Sequence, residues 1–379
     1  LAVPHSRIRE LAEIAMGMSG VLKLYFGESN LPTPDFIKRA AADALKDGHT
    51  FYTENAGTPS LRHAIARYTA RLHSVEIDPR KEIVVTASGV QALSLGLRCL
   101  VDPGDEALVL TPAWPNGSAI LRMAHASVKQ IAQPLCGDRY AIDFEALEHA
   151  VTSRTRVLLY ASPSNPLGWV ATNDDQDRLL EFARRHRLWL GADEVYERLI
   201  YDGAPVAPSI LKKATRQDTV LVIQSFSKAW CMTGWRLGWM VGPSELIARA
   251  AELNEFMVSC AAGFAQKAGE VALECGEDSV RELVARLRQN RDYCLAALRV
   301  MPGVTVPAPD RAFYLFPRIA AAADSFAFCR DLLLETKVGL APGVAFGAGG
   351  EGNVRICYAS DLETLKEAMS RLHEFLSLP

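Results

Sequence analysis

Residues 224–239, QSFSKAWCMTGWRLGW, set one lysine and one arginine among small hydroxyls, glycines and three tryptophans. Lys228 follows the apolar run TVLVI (219–223) and has no charged residue within seven positions on either side. A lysine in a largely apolar cleft has its ammonium form disfavoured, and the neutral amine is a better nucleophile toward an aldehyde. Taken alone, a snorkelling or ion-paired lysine is the better explanation. The rest of the chain has to decide.

Outward from this stretch, between about residues 80 and 245, short β-rich runs alternate with helical patterns. The strand candidates are EIVVTAS (82–88), EALVLTP (106–112), SVKQIAQP (127–134), RVLLYASP (156–163), LWLGADEVY (188–196), TVLVIQSFS (219–227) and LGWMVG (237–242). Several are continuously apolar, as strands covered on both faces should be. GVQALSLGLRCLV (89–101) and NDDQDRLLEFARRHR (173–187) read as helices, the second with Thr172 as N-cap. The alternation predicts an α/β fold with an open, mostly parallel seven-stranded sheet and helices on both sides.

Past residue 245 long helices take over, such as SVRELVARLRQNRDYCLAALRV (279–300), followed by a short α+β section and a closing helix at 361–376. We therefore expect a large α/β domain over 30–280. A smaller α+β domain would combine 281–379 with the N-terminal segment 1–29, whose first residues read as an amphipathic helix ending near Gly17–Gly20.

Composition narrows the function. Charges nearly balance at a net of −3 over 379 residues, which points away from nucleic acid or an anionic membrane as partner. No apolar run approaches the roughly 18–20 residues a spanning helix needs. The N-terminus lacks a secretory pattern, and its missing initiator Met suggests that the chain begins inside a longer one. Eight scattered cysteines without a C-x-x-C pair read as buried free thiols of a cytoplasmic protein, and the eight histidines show no metal-ligand spacing.

Open α/β sheets bind ligands outside the carboxyl ends of their strands, and the polar residues there form a coherent set. Ser88, Gly89 and Val90 turn the first strand into a helix N-terminus, which suits a phosphate. Trp114, between Pro112 and Pro115, is either core or a flat face for a ring. Asn165 lies in the turn NPLG. Asp193 ends an apolar strand, where a carboxylate needs a cation or donors, and Tyr196 follows it in DEVY. Ser225 and Lys228 end the next strand, and Arg236 adds a fork of donors. A phosphate cradle, a stacking ring, an acid for a pyridine nitrogen and a lysine for an aldehyde are together what pyridoxal 5′-phosphate demands.

With these residues in view, the chain resembles the class I/II aminotransferases of pyridoxal phosphate fold type I, from about Leu24 to the C-terminal helix. SFSKAWCMTGWRLGW matches the family's lysine signature, supported by FGESNLPTP, YTENAGTPSLR, PAWPNG, SNPLG, DEVY and GNVRICYA. The resemblance implies that Lys228 carries the cofactor and shuttles a proton. It implies that Asp193 pairs with the ring nitrogen, that Tyr196 and Asn165 bond the ring oxygen and that Trp114 stacks. Ser88, Gly89, Val90, Ser225 and Arg236 would hold the phosphate, the first three partly through backbone N–H groups. Tyr52 would reach the phosphate in a neighbouring subunit, implying a homodimer with shared sites. Arg355 would take the substrate α-carboxylate, and Gly27 would lie on the loop closing over it. The implied reaction moves an amino group between an L-amino acid and a 2-oxo acid, with glutamate and 2-oxoglutarate as the second pair.

Substrate choice is less marked. Val90 stands where some bacterial aspartate aminotransferases carry a lysine, and no second arginine for a dicarboxylate is identifiable. Tyr25 and Phe26 would make one pocket wall apolar, which favours a neutral or aromatic amino acid while still admitting aspartate. A β-lyase, a decarboxylase or a cyclopropane-carboxylate synthase would use Lys228 and Asp193 alike. A regulator's sensor domain would need a winged-helix segment, and only about 24 residues precede the matching region. GAGGEG (347–352) fits a dinucleotide pattern formally but precedes a strand, so we expect a flexible loop near the substrate mouth. Asp174 and Asp175 read as an acidic first helical turn.

Overall fold

The computed structural model describes residues 5–309 and 311–377. All seven strand candidates become strands of one sheet. They are β1 (Ile83–Thr86), β2 (Glu106–Thr111), β3 (Ser127–Ala132), β4 (Thr155–Ala161), β5 (Trp189–Asp193), β6 (Val220–Ser225) and β7 (Gly238–Val241). The spatial order is β1-β7-β6-β5-β4-β2-β3, with β7 alone antiparallel to its neighbours. Six strands thus deliver their carboxyl ends to one edge of the sheet, and β7 starts there.

Side chains alternate across the sheet, and both faces are covered. Val84, Val109, Leu159, Leu221, Ile223 and Met240 pack with Leu93 and Leu97 of the helix Gly89–Leu100 and with Leu246 and Ile247 of the helix Ser244–Glu255. Val85, Leu108, Leu158, Leu190, Val222 and Trp239 face the other way, onto Leu179, Leu180 and Phe182 of the helix Asn173–His186. Burial on both faces explains the unbroken apolar runs. The edge strand β3 is the exception, with several of its residues exposed.

Local signals hold where they were clearest. Thr172 accepts from the Asp175 N–H and Asp175 returns a bond, a reciprocal capping box with acids in the first turn. The N-terminal helix spans Arg7–Met16 and ends on Gly17. The cysteines are unpaired, but Cys136 and Cys275 are exposed, so the expected burial holds only for part of the set. Both lie beyond the packed layers, Cys136 in a short outer hairpin and Cys275 at a helix end. Among the described residues no helix is long and apolar enough to cross a membrane.

The chain's two ends meet. Leu22–Lys23 pairs in parallel with Val338–Gly339, and a three-stranded sheet joins Tyr314–Leu315, Val354–Cys357 and Ala341–Pro342. Leu11 and Leu24 enter a second apolar cluster with Leu283, Leu298, Phe313, Ile356 and Leu372. This cluster also takes Tyr196 and Leu199, which follow β5, so it borders the strand ends.

One glycine fixes how tightly the first helix can approach. A Cβ on Gly238 would lie 2.4 Å from the Gly89 nitrogen and 2.8 Å from the Gln224 carbonyl oxygen, backbone atoms that cannot swing aside. Gly238→Ala is therefore expected to cost about 1–3 kcal/mol by overpacking. Thr172→Ala, which removes only a cap, should cost about 1 kcal/mol. Urea unfolding of the two variants checks both values, and only Gly238→Ala should also weaken cofactor binding.

Candidate active site

The sheet's carboxyl edge opens into a cavity of about 750 Å³. Its lining gathers Gly27, Gly89, Val90, Trp114, Asn165, Asp193, Tyr196, Ser225, Lys228 and Arg236, all singled out from the sequence. Three expected residues stand elsewhere. Ser88 is buried, its hydroxyl accepting from the Gln91 N–H at 3.1 Å, so it shapes the turn into the helix. Arg355 lies fully buried behind the wall, and Tyr52 is an exposed residue away from this cavity.

The tryptophans of the opening stretch explain how Lys228 is held. Trp230 and Trp239 are buried around Phe226, at ring separations of 5.3 and 4.9 Å. Trp235 donates to the Thr33 hydroxyl at 2.8 Å, which itself donates to the Cys231 carbonyl. The turn after β6 is thus clamped on both sides of Lys228. The Lys228 amine donates to the Gly27 carbonyl at 2.7 Å and lies 5.5 Å from the Tyr196 ring centre. Burial, the largest influence, depresses its pKa to about 8.

Asp193 ends β5, and among the described residues its carboxylate accepts one hydrogen bond, from the Val195 N–H at 3.3 Å. Burial raises its pKa to about 6 against the weaker pull of that bond and of Lys228. Among the described residues neither Asp193 nor Lys228 forms a salt bridge. Glu106, at the opposite edge of the sheet, shows what a structural acid does there: it is buried but bonded to Lys129, Arg154 and Thr152.

Other parts of the cavity follow the same pattern. The N-terminus of the helix Gly89–Leu100 faces the cavity, with Gly89 packed on the Ser225 Cβ and the Gln224 carbonyl at the distances a side chain would need. Arg236 adopts a left-handed backbone (φ 53°) and donates to the Thr233 carbonyl, which leaves further guanidinium donors for an anion. Tyr196 and Tyr314 share a hydroxyl contact of 2.7 Å, and burial lifts both phenols above their usual range.

Arg355 bonds the Asn165 side-chain oxygen at 3.0 Å and the Tyr25 carbonyl. Its guanidinium lies 4.6 Å from the Tyr314 ring centre and 5.5 Å from that of Trp114. Its Nε is buried without a partner, and among the described residues no carboxylate pairs with it. A buried cation held only by neutral oxygens is poised for an anion.

Two expectations need correction. Tyr25 does not wall the pocket: it is buried in the core against Gly339, and Phe26 alone lines the cavity. The loop 347–352 does not line the cavity either. It packs on β3, where the Ala348 N–H bonds Gln130, and Gly350 sits against Gly343 too closely for a Cβ on either. Tyr314, Glu28 and Arg9 line the cavity without having been singled out. Nothing local marks Tyr314 or Arg9, since Tyr314 meets Tyr196 across 118 positions and Arg9 arrives on the N-terminal helix, whereas Glu28 follows Gly27 directly in FGESNLPTP.

These residues fit a phosphorylated aldehyde with a basic ring nitrogen: a helix N-terminus and an arginine, an amine of lowered pKa, and a carboxyl lacking a cation. Comparison with known proteins agrees. Residues 19–372 match the family described as aminotransferase class I and II. The chain is 35% identical over 380 residues to an aspartate aminotransferase of Pyrococcus horikoshii, covering 99% of this chain and 96% of the relative. It is 33% identical to aromatic-amino-acid aminotransferase 2 of Thermococcus litoralis, covering 98% and 95%. A solved aromatic aminotransferase from Pyrococcus horikoshii superposes with a TM-score of 0.90 at 34% identity, covering 97% of this chain and 98% of that one.

Fold and relatives define a pyridoxal-phosphate-dependent transferase acting on amino acids and oxo acids. The chain belongs to the aminotransferase class I and II family.

Asp193 supplies a test of the site's electrostatics. A carboxyl whose folded pKa is raised stabilises the fold below its unfolded value of 3.8 and loses that contribution as pH rises through about 6. In cofactor-free protein the melting temperature of Asp193→Asn relative to the parent should therefore climb between these pH values and level off above them. Paired thermal melts across that range check this, and a difference independent of pH would contradict it.

Proposed function

We propose that Lys228 and Asp193 are the reacting centre of this aminotransferase, because an amine of lowered pKa and a cation-free carboxyl line one cavity. The cofactor, when bound, withdraws electrons from the substrate Cα and so acidifies its hydrogen. Lys228 would hold the cofactor through its amine and, as an amine of lowered pKa, would serve as the base that moves the substrate Cα proton. Asp193 keeps a proton on the ring nitrogen. Tyr196 and Asn165 steady the ring oxygen, Trp114 covers a ring face, and Gly89, Val90, Ser225 and Arg236 hold the phosphate, with Ser88 shaping their turn. Arg355 grips the substrate α-carboxylate in a fixed fork, and Gly27 keeps the adjacent loop close. A Cβ on Gly27 would fall 2.1 Å from the Tyr314 hydroxyl, which supports a tight approach there.

The apolar wall of Phe26, Val90 and Leu93 supports a neutral or aromatic side chain in one half-reaction. The names of the relatives support aspartate as a second reading. Elimination or decarboxylation has no comparable support, since the relatives reported above are aminotransferases. Tyr52 completes the partner's site in a homodimer. Phe51, Tyr52 and Phe256, exposed at 83%, 87% and 84%, support this, their segments joined by bonds from the Asn254 amide to the Asn55 carbonyl and from the Asn55 amide to the Glu255 carboxylate. The division into 30–280 and a unit of 1–29 with 281–379 is part of this proposal, supported by the second apolar cluster. A cytoplasmic setting is supported by the unpaired cysteines.

The test is a half-reaction screen. Holoenzyme mixed with single amino acids should lose its yellow colour and release the matching 2-oxo acid, fastest with phenylalanine, tyrosine or leucine. Ammonia release without an acceptor would overturn transfer in favour of elimination. Lys228→Ala should lower turnover by about a thousandfold or more while keeping the fold; unchanged turnover would remove Lys228 from its role.

A further inference from the structure

Both half-reactions of an amino-group transfer use one site, so the cavity must accept two different side chains in turn. Arg355, Arg236 and Lys228 are assigned above to the α-carboxylate, the phosphate and the amine chemistry. Among the lysines and arginines of the described lining, Arg9 remains, with His5 on the same segment. Arg9 enters from the first turn of the helix Arg7–Met16, beside Ile8, Phe26 and Gly27.

Three observations bear on Arg9. Its guanidinium lies 5.3 Å from the ring centre of Phe26, which lines the same cavity. Among the described residues no carboxylate pairs with it, whereas Arg7 on the same turn pairs with Glu10 at 3.0 Å. A cation in a first helical turn opposes the helix dipole, so the position is not chosen for helix stability. Glu28 and Asp193 are the acids of the described lining, and the Glu28 carboxylate accepts from the Thr233 hydroxyl at 3.2 Å.

We propose that Arg9 is a specificity-determining residue that binds the side-chain carboxylate of a short dicarboxylic amino acid or 2-oxo acid. The inference rests on the site reading given above, with Arg355 on the α-carboxylate. An exposed contact to Phe26 contributes little, so the guanidinium is available for a bidentate grip on a carboxylate. Phe26 then serves the neutral or aromatic partner in the other half-reaction. One wall thereby serves both substrates.

The test measures binding of two unreactive acids, succinate and 3-phenylpropionate, to holoenzyme by calorimetry, alongside the half-reactions of aspartate, glutamate and phenylalanine. Arg9→Gln should reduce the preference for succinate over 3-phenylpropionate by about 10- to 100-fold. Arg9→Lys, which keeps the charge without the fork, should fall between. Aspartate and glutamate should lose kcat/KM in the same proportion relative to phenylalanine. A preference unchanged within about threefold, or a parent enzyme that binds no succinate, would overturn the assignment of Arg9. A parent that converts no amino acid at all would instead overturn the underlying site reading. Arg9 is exposed, so circular dichroism and melting should show the variant folded.

Discussion

The structure turns on two charges that, among the described residues, have no salt-bridge partner where strands end. Burying Lys228 and Asp193 unpaired costs stability, and each pKa moves toward its neutral form as a result. Glu106 at the opposite edge shows that this fold can neutralise a buried acid when it needs to. The contrast marks the carboxyl edge as the working one. A basic ring nitrogen able to take a proton beside Asp193 and an aldehyde able to take the Lys228 amine would resolve both charges at once, which is why the proposed cofactor fits.

Everything around the pair serves to hold it. The clamp of Trp230, Trp235 and Trp239 fixes the turn carrying Lys228, and β5 fixes Asp193 in register with Ala161 and Ile223. The N- and C-terminal segments then close the cavity from the other side. The Gly27 carbonyl accepts from Lys228, and the Tyr25 carbonyl accepts from Arg355 across 330 positions. Arg355 and Lys228 are thus braced by the same short segment, 25–27.

Much of this was legible in the residues. The sheet was readable because burial on both faces leaves continuous apolar runs in several of its strands, and all seven strand candidates proved to belong to it. The site was readable because strand ends are where polar residues follow those runs, as with Asp193 after WLGA and Lys228 after VLVIQSFS. What escaped depends on contacts distant in sequence. Tyr25 looked like pocket wall because it precedes Gly27, yet Gly339 gives its ring room in the core. The glycines at 347–352 looked loose, yet they pack backbone to backbone with Gly343. Tyr314 and Arg9 carry no local pattern at all, since each becomes part of the site only when the chain's ends fold back onto the sheet.

The most direct measurement is borohydride reduction of the holoprotein followed by proteolysis and mass mapping of the pyridoxyl tag. The account predicts a single modified peptide carrying the tag on Lys228. A tag on any other lysine, or its absence from a protein with bound cofactor, would contradict it.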